Sequence, residues 1–569
     1  MTTSTPSLLQ DGDTLNKIAK TLKQILGEST PLLDHLKTLN LPTSAALTCA
    51  IGQWLIAQPE HMQLDILKRQ LPSCPSGQSI TPGHQSFAAS LDDYQKKFGW
   101  SFFLASQGPR GRGIDDQQFS VTLERRLMRN PIAEREESIR QLARHLEIEI
   151  SKALGDDIGL GNDIWDWHQT LARHSDVFET QPNVLTVTYL TEAHLACARE
   201  IAQRMRECGC DEVSVDAVGN VVGIYHGQSP QSKRLMTGSH YDTVRNAGKY
   251  DGRLGIFLPL ACISTLHRQK RRLTHGIEVV AFAEEEGQRY KATFLGSAAL
   301  TGNFDPNWLT QIDSNDIPMR DAMRHAGLDP EKIPSIKRDP SAYLGFVEVH
   351  IEQGPVLSNM GLPLGVVTSI NGGVRLLCKV AGTASHAGTT PMGQRSDAAV
   401  AAAEIVLLTE RTAKAVPHAV ATVGQLNVPN GSINVIPGAC HFSLDVRAPN
   451  DADRDRVLAE ILSGIKTIEI ARSVQIEVQE IMRVSAAPSD TKLQSVWEAT
   501  VAELGLPVKC LPSGAGHDAM KLHTIMPQAM LFVRGENDGI SHNPLESTTS
   551  HDIELAYRAT LSAFEKICS

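Results

Sequence analysis

An α/β domain interrupted by a smaller α+β insert, and preceded by an all-α region, is the fold class this sequence predicts. Three observations carry it. Up to about residue 155, apolar residues recur at intervals of three and four. Beyond about residue 185, short apolar runs alternate with longer helical patterns, as they do in an α/β sheet. Between residues 365 and 480 that alternation changes its order before it resumes.

In the first region Ile139, Leu142, Leu146 and Ile150 form the clearest apolar stripe, which predicts an amphipathic helix facing a core. The all-α region is read as residues 1–155. A Gly/Asp-rich break, GDDIGLGND, opens a linker at 156–179. The α/β domain then starts at 180, with IEVVAFA, LGFVEVHI and AMLFVRG as buried strands. The insert, 365–480, begins with GVVTSINGGVRLLCKVAG, passes through the helical SDAAVAAAEIVLLTERTA and returns to strands in HAVATVGQLNV and CHFSLDVRA. The parent domain resumes at 481 and runs to 569.

A chain of 569 residues exceeds what one hydrophobic core serves, in keeping with several domains. The formal net charge of -10 and the lack of a Lys/Arg-rich run argue against nucleic acid as a partner and for a small molecule. The start, MTTSTPSLLQDGDTLNK, lacks the basic and apolar parts of a signal peptide, and no stretch reaches the roughly 18 apolar residues of a membrane span. No membrane partner and a cytoplasmic location are therefore expected. Of the ten cysteines only Cys208 and Cys210 lie close together; a single C-x-C without a second pair reads as free thiols, not as a zinc site.

Chemistry concentrates in five residues able to bind metal: His240, Asp251, Glu286, His350 and His542. Each stands beside an apolar stretch, and the set straddles the insert. Hard and borderline ligands gathered from distant loops are what a pair of divalent ions requires, and imidazole with carboxylate favours zinc, manganese or cobalt. Asp251, in the KYDGRLG turn, is the candidate bridge between the ions. Asp242 follows His240 by two residues and is placed to orient its ring. In AFAEEEGQR, a strand over 277–283 runs into three glutamates. An isolated run of this kind is most often a solvated face; here it follows an apolar strand and precedes Gly287. Glu286 is the expected ligand, and Glu285 the general base toward the attacking water.

These pieces resemble the two-metal amidohydrolases that include allantoate amidohydrolase, N-carbamoyl-L-amino-acid hydrolase and β-ureidopropionase. The resemblance spans about residues 180–569 and rests on GSHYDTVRNAGKYDG, AEEEGQR, HIEQG, SHAGTTPMGQRSDA, NVIPG, SGAGHDA and GISHNP. It implies two divalent ions per subunit, zinc or manganese, held by the same five ligands, with Glu285 as base. It also implies that the insert serves as dimer contact and moving lid of a homodimer. His386 of SHAGTTPM would then reach the oxyanion, in this family usually from the partner subunit. From its own surroundings His386 could equally cap a turn beside Gly388. By the same resemblance Asn434 and Arg447 clamp a substrate carboxylate, a planar fork and a directed donor suiting that task, and Gln353 contacts the ureido group. One departure is Asn246-Ala247-Gly248, where the family commonly has Asn-Gly-Gly.

The helical region resembles the decarboxylase acting on 2-oxo-4-hydroxy-4-carboxy-5-ureidoimidazoline, through LDDYQKKFGWSFFLASQGPRG and LERRLMRNPIAEREESIRQLARHLEIEI. The His-Pro pair of that family stands here as Leu71-Pro72, and the stretch between Gly77 and Gly83 looks shortened. His84 could substitute in principle, although a lone loop histidine beside Gln85 reads as solvated. The implied reading is a catalytically dead relic. Joined to a ureido hydrolase, it points to allantoate, with hydrolysis to ureidoglycine, ammonia and carbon dioxide. Alternatives are an N-carbamoyl-L-amino-acid hydrolase or β-ureidopropionase, a bifunctional enzyme that still decarboxylates, and a binding or scaffold protein that keeps the fold without turnover.

Overall fold

The structure is a computed structural model and describes residues 7–27, 30–70, 87–105, 116–181 and 184–569. Leu71-Pro72, the stretch from Gly77 to Gly83, and His84 lie outside the described residues. The chain divides into two compact units, Met1–Val366 with Thr491–Cys510 and Lys521–Ser569, and Val367–Asp490 with Leu511–Met520.

The strands in chain order are β1 (Glu212–Val215), β2 (Val221–Tyr225), β3 (Arg234–His240), β4 (Gly276–Phe282), β5 (Tyr343–Ile351), β6 (Leu364–Ile370), β7 (Gly372–Ala381) and β8 (Ser385–His386). They continue as β9 (Val420–Thr422), β10 (Leu426–Asn427), β11 (Val435–Ile436), β12 (Ala439–Ala448), β13 (Gln475–Val484), β14 (Ala487–Pro488), β15 (Cys510–Ser513) and β16 (Gln528–Val533).

The first unit opens with helices, and their apolar faces make a core of their own from residues such as Leu22, Leu47, Ile51, Tyr94, Phe102, Phe119 and Leu146. The predicted stripe lies on the helix Pro131–Leu154, where Ile139, Leu142, Leu146 and Ile150 are all but fully buried. Asn130 caps that helix by accepting from the Ala133 N–H, proline takes the first position, and Gly155 ends it in the left-handed conformation. A buried guanidinium, Arg126, is tied to Glu134, Ser138 and the Phe103 carbonyl, which locks this helix to Asp116–Leu127. Within the stretch read as a linker stands a helix, Gly159–Leu171, packed on the last helix, Ser550–Ile567; the Gly161 N–H donates to Glu554 there at 2.8 Å.

Beyond it the sheet of the first unit runs in the order β1-β2-β4-β3-β5-β16. β3 pairs parallel with β4 and β5, and β16 pairs parallel with β5. These strands are buried on both faces, which is why they read as unbroken apolar runs and not as alternation. The apolar helix Leu254–Arg268 covers β3 and β5. β6 begins at the end of the first unit and continues into the second, where β14 and β15 pair with it.

The second unit is a twisted antiparallel sheet in the order β10-β12-β7-β13, with β9 also on β12. Helices Ala398–Lys414 and Asp451–Arg472 cover one face, burying Val374, Leu376, Phe442, Leu444, Val457 and Ile461. Alternation leaves Arg375, Ser443, Asp445 and Arg447 on the open face. The unit reaches past residue 480 because β13 pairs with β7 up to Val484. Among the described residues no helix is long and apolar enough to cross a membrane.

Candidate metal centre

All five predicted ligands stand at the carboxyl ends of parallel strands or in the loops that leave them. In an open α/β sheet this rim is where ligands bind. His240 ends β3, Asp251 lies between β3 and the helix Leu254–Arg268, Glu286 follows β4, His350 is the last residue but one of β5, and His542 follows β16. They form two triads that share Asp251. One is His240, Asp251 and His350; the other is Asp251, Glu286 and His542; within each, the ligand atoms lie within 4.8 Å of one another.

Asp251 faces the triads with different oxygens. Its Oδ1 is 3.4 Å from His240 Nε2 and 3.3 Å from His350 Nε2, while its Oδ2 is 3.2 Å from His542 Nε2. Glu286 Oε1 lies 3.4 Å from the same His542 nitrogen. The far nitrogens of the two buried rings decide what fits between. His240 Nδ1 lies 3.1 Å from the Asp242 carbonyl, and His350 Nδ1 lies 2.8 Å from that of Ile351, so each neutral ring carries its proton on Nδ1. The His240 Nε2 lone pair then faces Asp251 Oδ1, and His350 Nε2, which also accepts the Gly252 N–H at 3.2 Å, lies beside the same oxygen, an arrangement that a cation among them relieves. The donor set therefore fits divalent ions.

The electrostatics point the same way. Burial alone would lower the His240 pKa, yet Asp242 and Asp251 outweigh it and hold the ring well above the usual imidazole value. His350 is raised by Asp251 against the same burial. For Asp251 burial is outweighed by His240, His350 and His542, which hold its carboxyl well below the ordinary range. Burial and the Asp251 charge push Glu286 up to about 7, and the hydrogen bond to Asp251 lifts His542 to about 9. The cluster demands positive charge.

Asp242 does more than orient a ring. Its carboxylate accepts the backbone N–H groups of Glu285 at 3.0 Å and Glu286 at 3.1 Å, and Oδ1 lies 3.4 Å from His240 Nδ1. One side chain thus sets the places of a ring and of two neighbouring glutamates. The Glu285 carboxylate comes within 4.8 Å of ligand atoms of His240 and Glu286. Glu284 is the most buried of the three, its carboxyl raised well above the usual range by burial and by Asp242.

Gly252 has the left-handed φ of 68°, and a Cβ there would meet the His240 carbonyl at 2.5 Å and its ring at 2.6 Å. The glycine beside Asp251 is thereby required twice over, by conformation and by space. At the departure from the family pattern it is Asn246 that takes a positive φ, 56°, while Ala247 pairs with Leu185 in ordinary backbone.

Gln353 also reaches the centre. Its Nε2 donates to Asp251 Oδ2 at 3.0 Å and to Ser541 Oγ at 3.1 Å. Two residues escaped the sequence reading. Glu546 accepts the N–H groups of Tyr250 and Asp251 at 2.9 and 3.0 Å, and Ser541 donates to its other oxygen at 2.6 Å. The one signal was a carboxylate four residues past His542, in HNPLEST.

The remaining predicted residues belong to the second unit. His386 and Asn434 are brought together by the β8–β11 ribbon, where the Ala387 N–H donates to the Asn434 carbonyl at 2.9 Å. His386 Nδ1 accepts from the Gly388 N–H at 3.0 Å, the turn-capping contact, while the ring stays exposed. Arg447, on β12, lines a cavity of about 460 Å³ with Arg375, Thr422 and Ser443. Its fork is already engaged: Nε and Nη2 donate to Asp445 at 2.8 and 3.0 Å, and Nη1 to the Gly514 carbonyl at 2.9 Å. Cys208 and Cys210 are free thiols pushed up to about 12 by burial, and neither belongs to a ligand cluster among the described residues.

Comparison with known proteins finds a family and several relatives. The model of peptidase family M20/M25/M40 matches residues 236–566. An N-carbamoyl-L-amino acid amidohydrolase of Geobacillus stearothermophilus is 40% identical over 62% of this chain and 86% of its own length. An allantoate deiminase of Arabidopsis thaliana is 34% identical over 73% of this chain and 86% of its own. The crystal structure of AtUAH in complex with (S)-hydroxyglycine superposes with a TM-score of 0.59 at 29% identity, covering 72% of this chain and 97% of that one. The chain belongs to peptidase family M20/M25/M40 and is an amidohydrolase of its allantoate and N-carbamoyl-amino-acid branch, acting on C–N bonds of a small-molecule substrate.

Proposed function

We propose that this chain hydrolyses one ureido group of allantoate, giving ureidoglycine, ammonia and carbon dioxide. The observation that carries the reading is the division of Asp251, whose two oxygens each face a different set of ligands. Two ions, zinc or manganese, would be held by His240, Asp251 and His350 and by Asp251, Glu286 and His542. When bound they supply the charge that acidifies water and polarises the carbamoyl oxygen.

The chain's own residues do the rest. Glu285 takes the proton of the attacking water and returns it to the leaving nitrogen. Asp242 keeps that carboxylate in reach through the Glu285 N–H. His386 donates to the developing oxyanion, and Asn434 holds the substrate carboxylate together with Arg447, through the Nη1 and Nη2 hydrogens that Gly514 and Asp445 leave free. Asp445 would present the Arg447 plane in a fixed orientation. In this reading residues 1–155 are a decarboxylase-like domain without chemistry of its own, 156–179 connect it to the catalytic domain, and 365–480 are the lid and contact of a homodimer.

A second reading, hydrolysis of N-carbamoyl-L-amino acids, is favoured by the 40% identity to the Geobacillus relative. Both substrates present a carboxylate beside a ureido group, so the clamp serves either. Ammonia release measured in parallel on allantoate and on N-carbamoyl-L-amino acids, with and without manganese and zinc, separates them. Faster turnover of allantoate is expected; preference for a carbamoyl amino acid overturns the substrate, and no turnover of either, with no metal uptake, returns the chain to a scaffold.

A further inference from the structure

The segment carrying His542 is gripped at both ends by the N-terminal helices, which lie outside the family match of residues 236–566. At its start, Asp538 meets three arginines. Arg140 Nη2 donates to Oδ1 at 2.5 Å, Arg129 donates to both oxygens, and Arg125 Nη1 lies 3.7 Å from Oδ2 while donating to the Asn537 carbonyl at 3.3 Å. At its end, Arg144 Nη2 donates to Thr549 Oγ1 at 2.6 Å and to Asp552 Oδ2 at 2.9 Å. Glu147 and Asp552 share Arg534, which follows β16 directly.

Between these anchors the backbone is strained. Asn537, Asp538 and Gly539 take successive left-handed φ values of 55, 62 and 67°, and His542 takes 53°. Asn, Asp and His enter this region more readily than other non-glycine residues, but as single residues; a run of three in succession is kept where the surroundings fix it. Gly539 also presses on the loop after β5, since a Cβ there would meet the Gly354 carbonyl at 1.7 Å. From this segment Ser541 reaches Gln353 and Glu546, and His542 reaches Asp251 and Glu286.

We propose that the helical region is a brace for the second ion: Arg125, Arg129 and Arg140, acting through Asp538, and Arg144, acting through Thr549, position His542. None of these arginines touches the centre; they are positioning residues. The inference rests on the two-ion reading above, and it gives the decarboxylase-like region a task that needs none of that family's catalytic groups.

The test uses the full chain, stripped with chelator and titrated with manganese alone, with ion stoichiometry and the two binding constants read by calorimetry and elemental analysis. Asp538→Asn keeps the shape of a partly exposed side chain, and Arg129→Gln/Arg140→Gln removes the grip from the other side. In both, binding of the first ion is expected to stay as in the wild type while the second weakens about tenfold or more, the scale on which outer partners of metal ligands act. Excess manganese is expected to restore turnover, and Arg129→Lys/Arg140→Lys to recover part of the affinity. Two ions bound with wild-type constants in both variants would overturn the brace, as would equal weakening of both ions. A wild-type chain that takes up fewer than two ions would sink the metal reading itself, and the brace with it.

Discussion

Glu546 Oε1 accepts the backbone N–H of Asp251 at 3.0 Å, so the residue shared by both ligand triads is held from behind by a carboxylate of the His542 loop. The same oxygen takes the Tyr250 N–H, and Ser541 occupies the other. Glu546 is buried, and burial together with the Asp251 charge pushes it up to about 7. Glu546→Ala releases the Asp251 turn and Ser541 together. Both ions should then weaken, each by about 10–100-fold, in a manganese titration; wild-type affinity would mean that the turn holds itself.

Glu285→Gln keeps the shape of the side chain and its backbone bond to Asp242, and removes the proton acceptor. It should retain both ions and lose about 10²–10⁴-fold or more in kcat. Elemental analysis beside an ammonia-release assay checks it. Near-normal turnover would shift the base to another residue.

Asp251→Ala and His542→Ala separate shared from private ligation. The first removes the oxygens that both triads use and should abolish binding of both ions; the second should leave one ion, held by His240 and His350. Loss of only one ion from Asp251→Ala would show that the carboxylate does not bridge.

In the ion-free protein, His542 is raised from 6.5 to about 9 and Glu286 from 4.5 to about 7. A raised folded pKa contributes stability that is present below the unfolded value and lost as pH rises through the folded one. The chelated chain should therefore lose melting temperature between about pH 5 and 9, as Glu286 titrates first and His542 after it. Ions take the place of those protons, so the loaded chain should stay level while its manganese affinity rises over the same interval. Parallel melts in chelator and in manganese test this, and a chelated chain that gains stability across that interval would reverse the sign.

Much of the candidate centre was legible because His240, Glu286 and His350 end or closely follow apolar strands, so local pattern and chemistry coincide there. Glu546 and the arginine brace were not. Their meaning lies in pairs such as Glu546 with Asp251 and Arg140 with Asp538, hundreds of residues apart along the chain. The engagement of Arg447 was within reach, since Asp445 stands two residues earlier on the same face of one strand. The helix Gly159–Leu171 was hidden for another reason: its glycines and aspartates read as a break, and its packing on Ser550–Ile567 overrides that local preference.

The two histidines of one triad stand at the ends of neighbouring strands, β3 and β5, while Glu286 and His542 of the other stand in loops. The first pair is thus carried by strands whose registered pairing runs up to Thr237 and Val347, three residues short of each histidine, and the two rings stand 6.1 Å apart between centroids. The loop side can open while the sheet stays whole. Under heat or chelator an ion held by Glu286 and His542 is therefore expected to leave before one held by His240 and His350, and the lifetime of the half-loaded chain would be set by the two loops that carry Glu286 and His542.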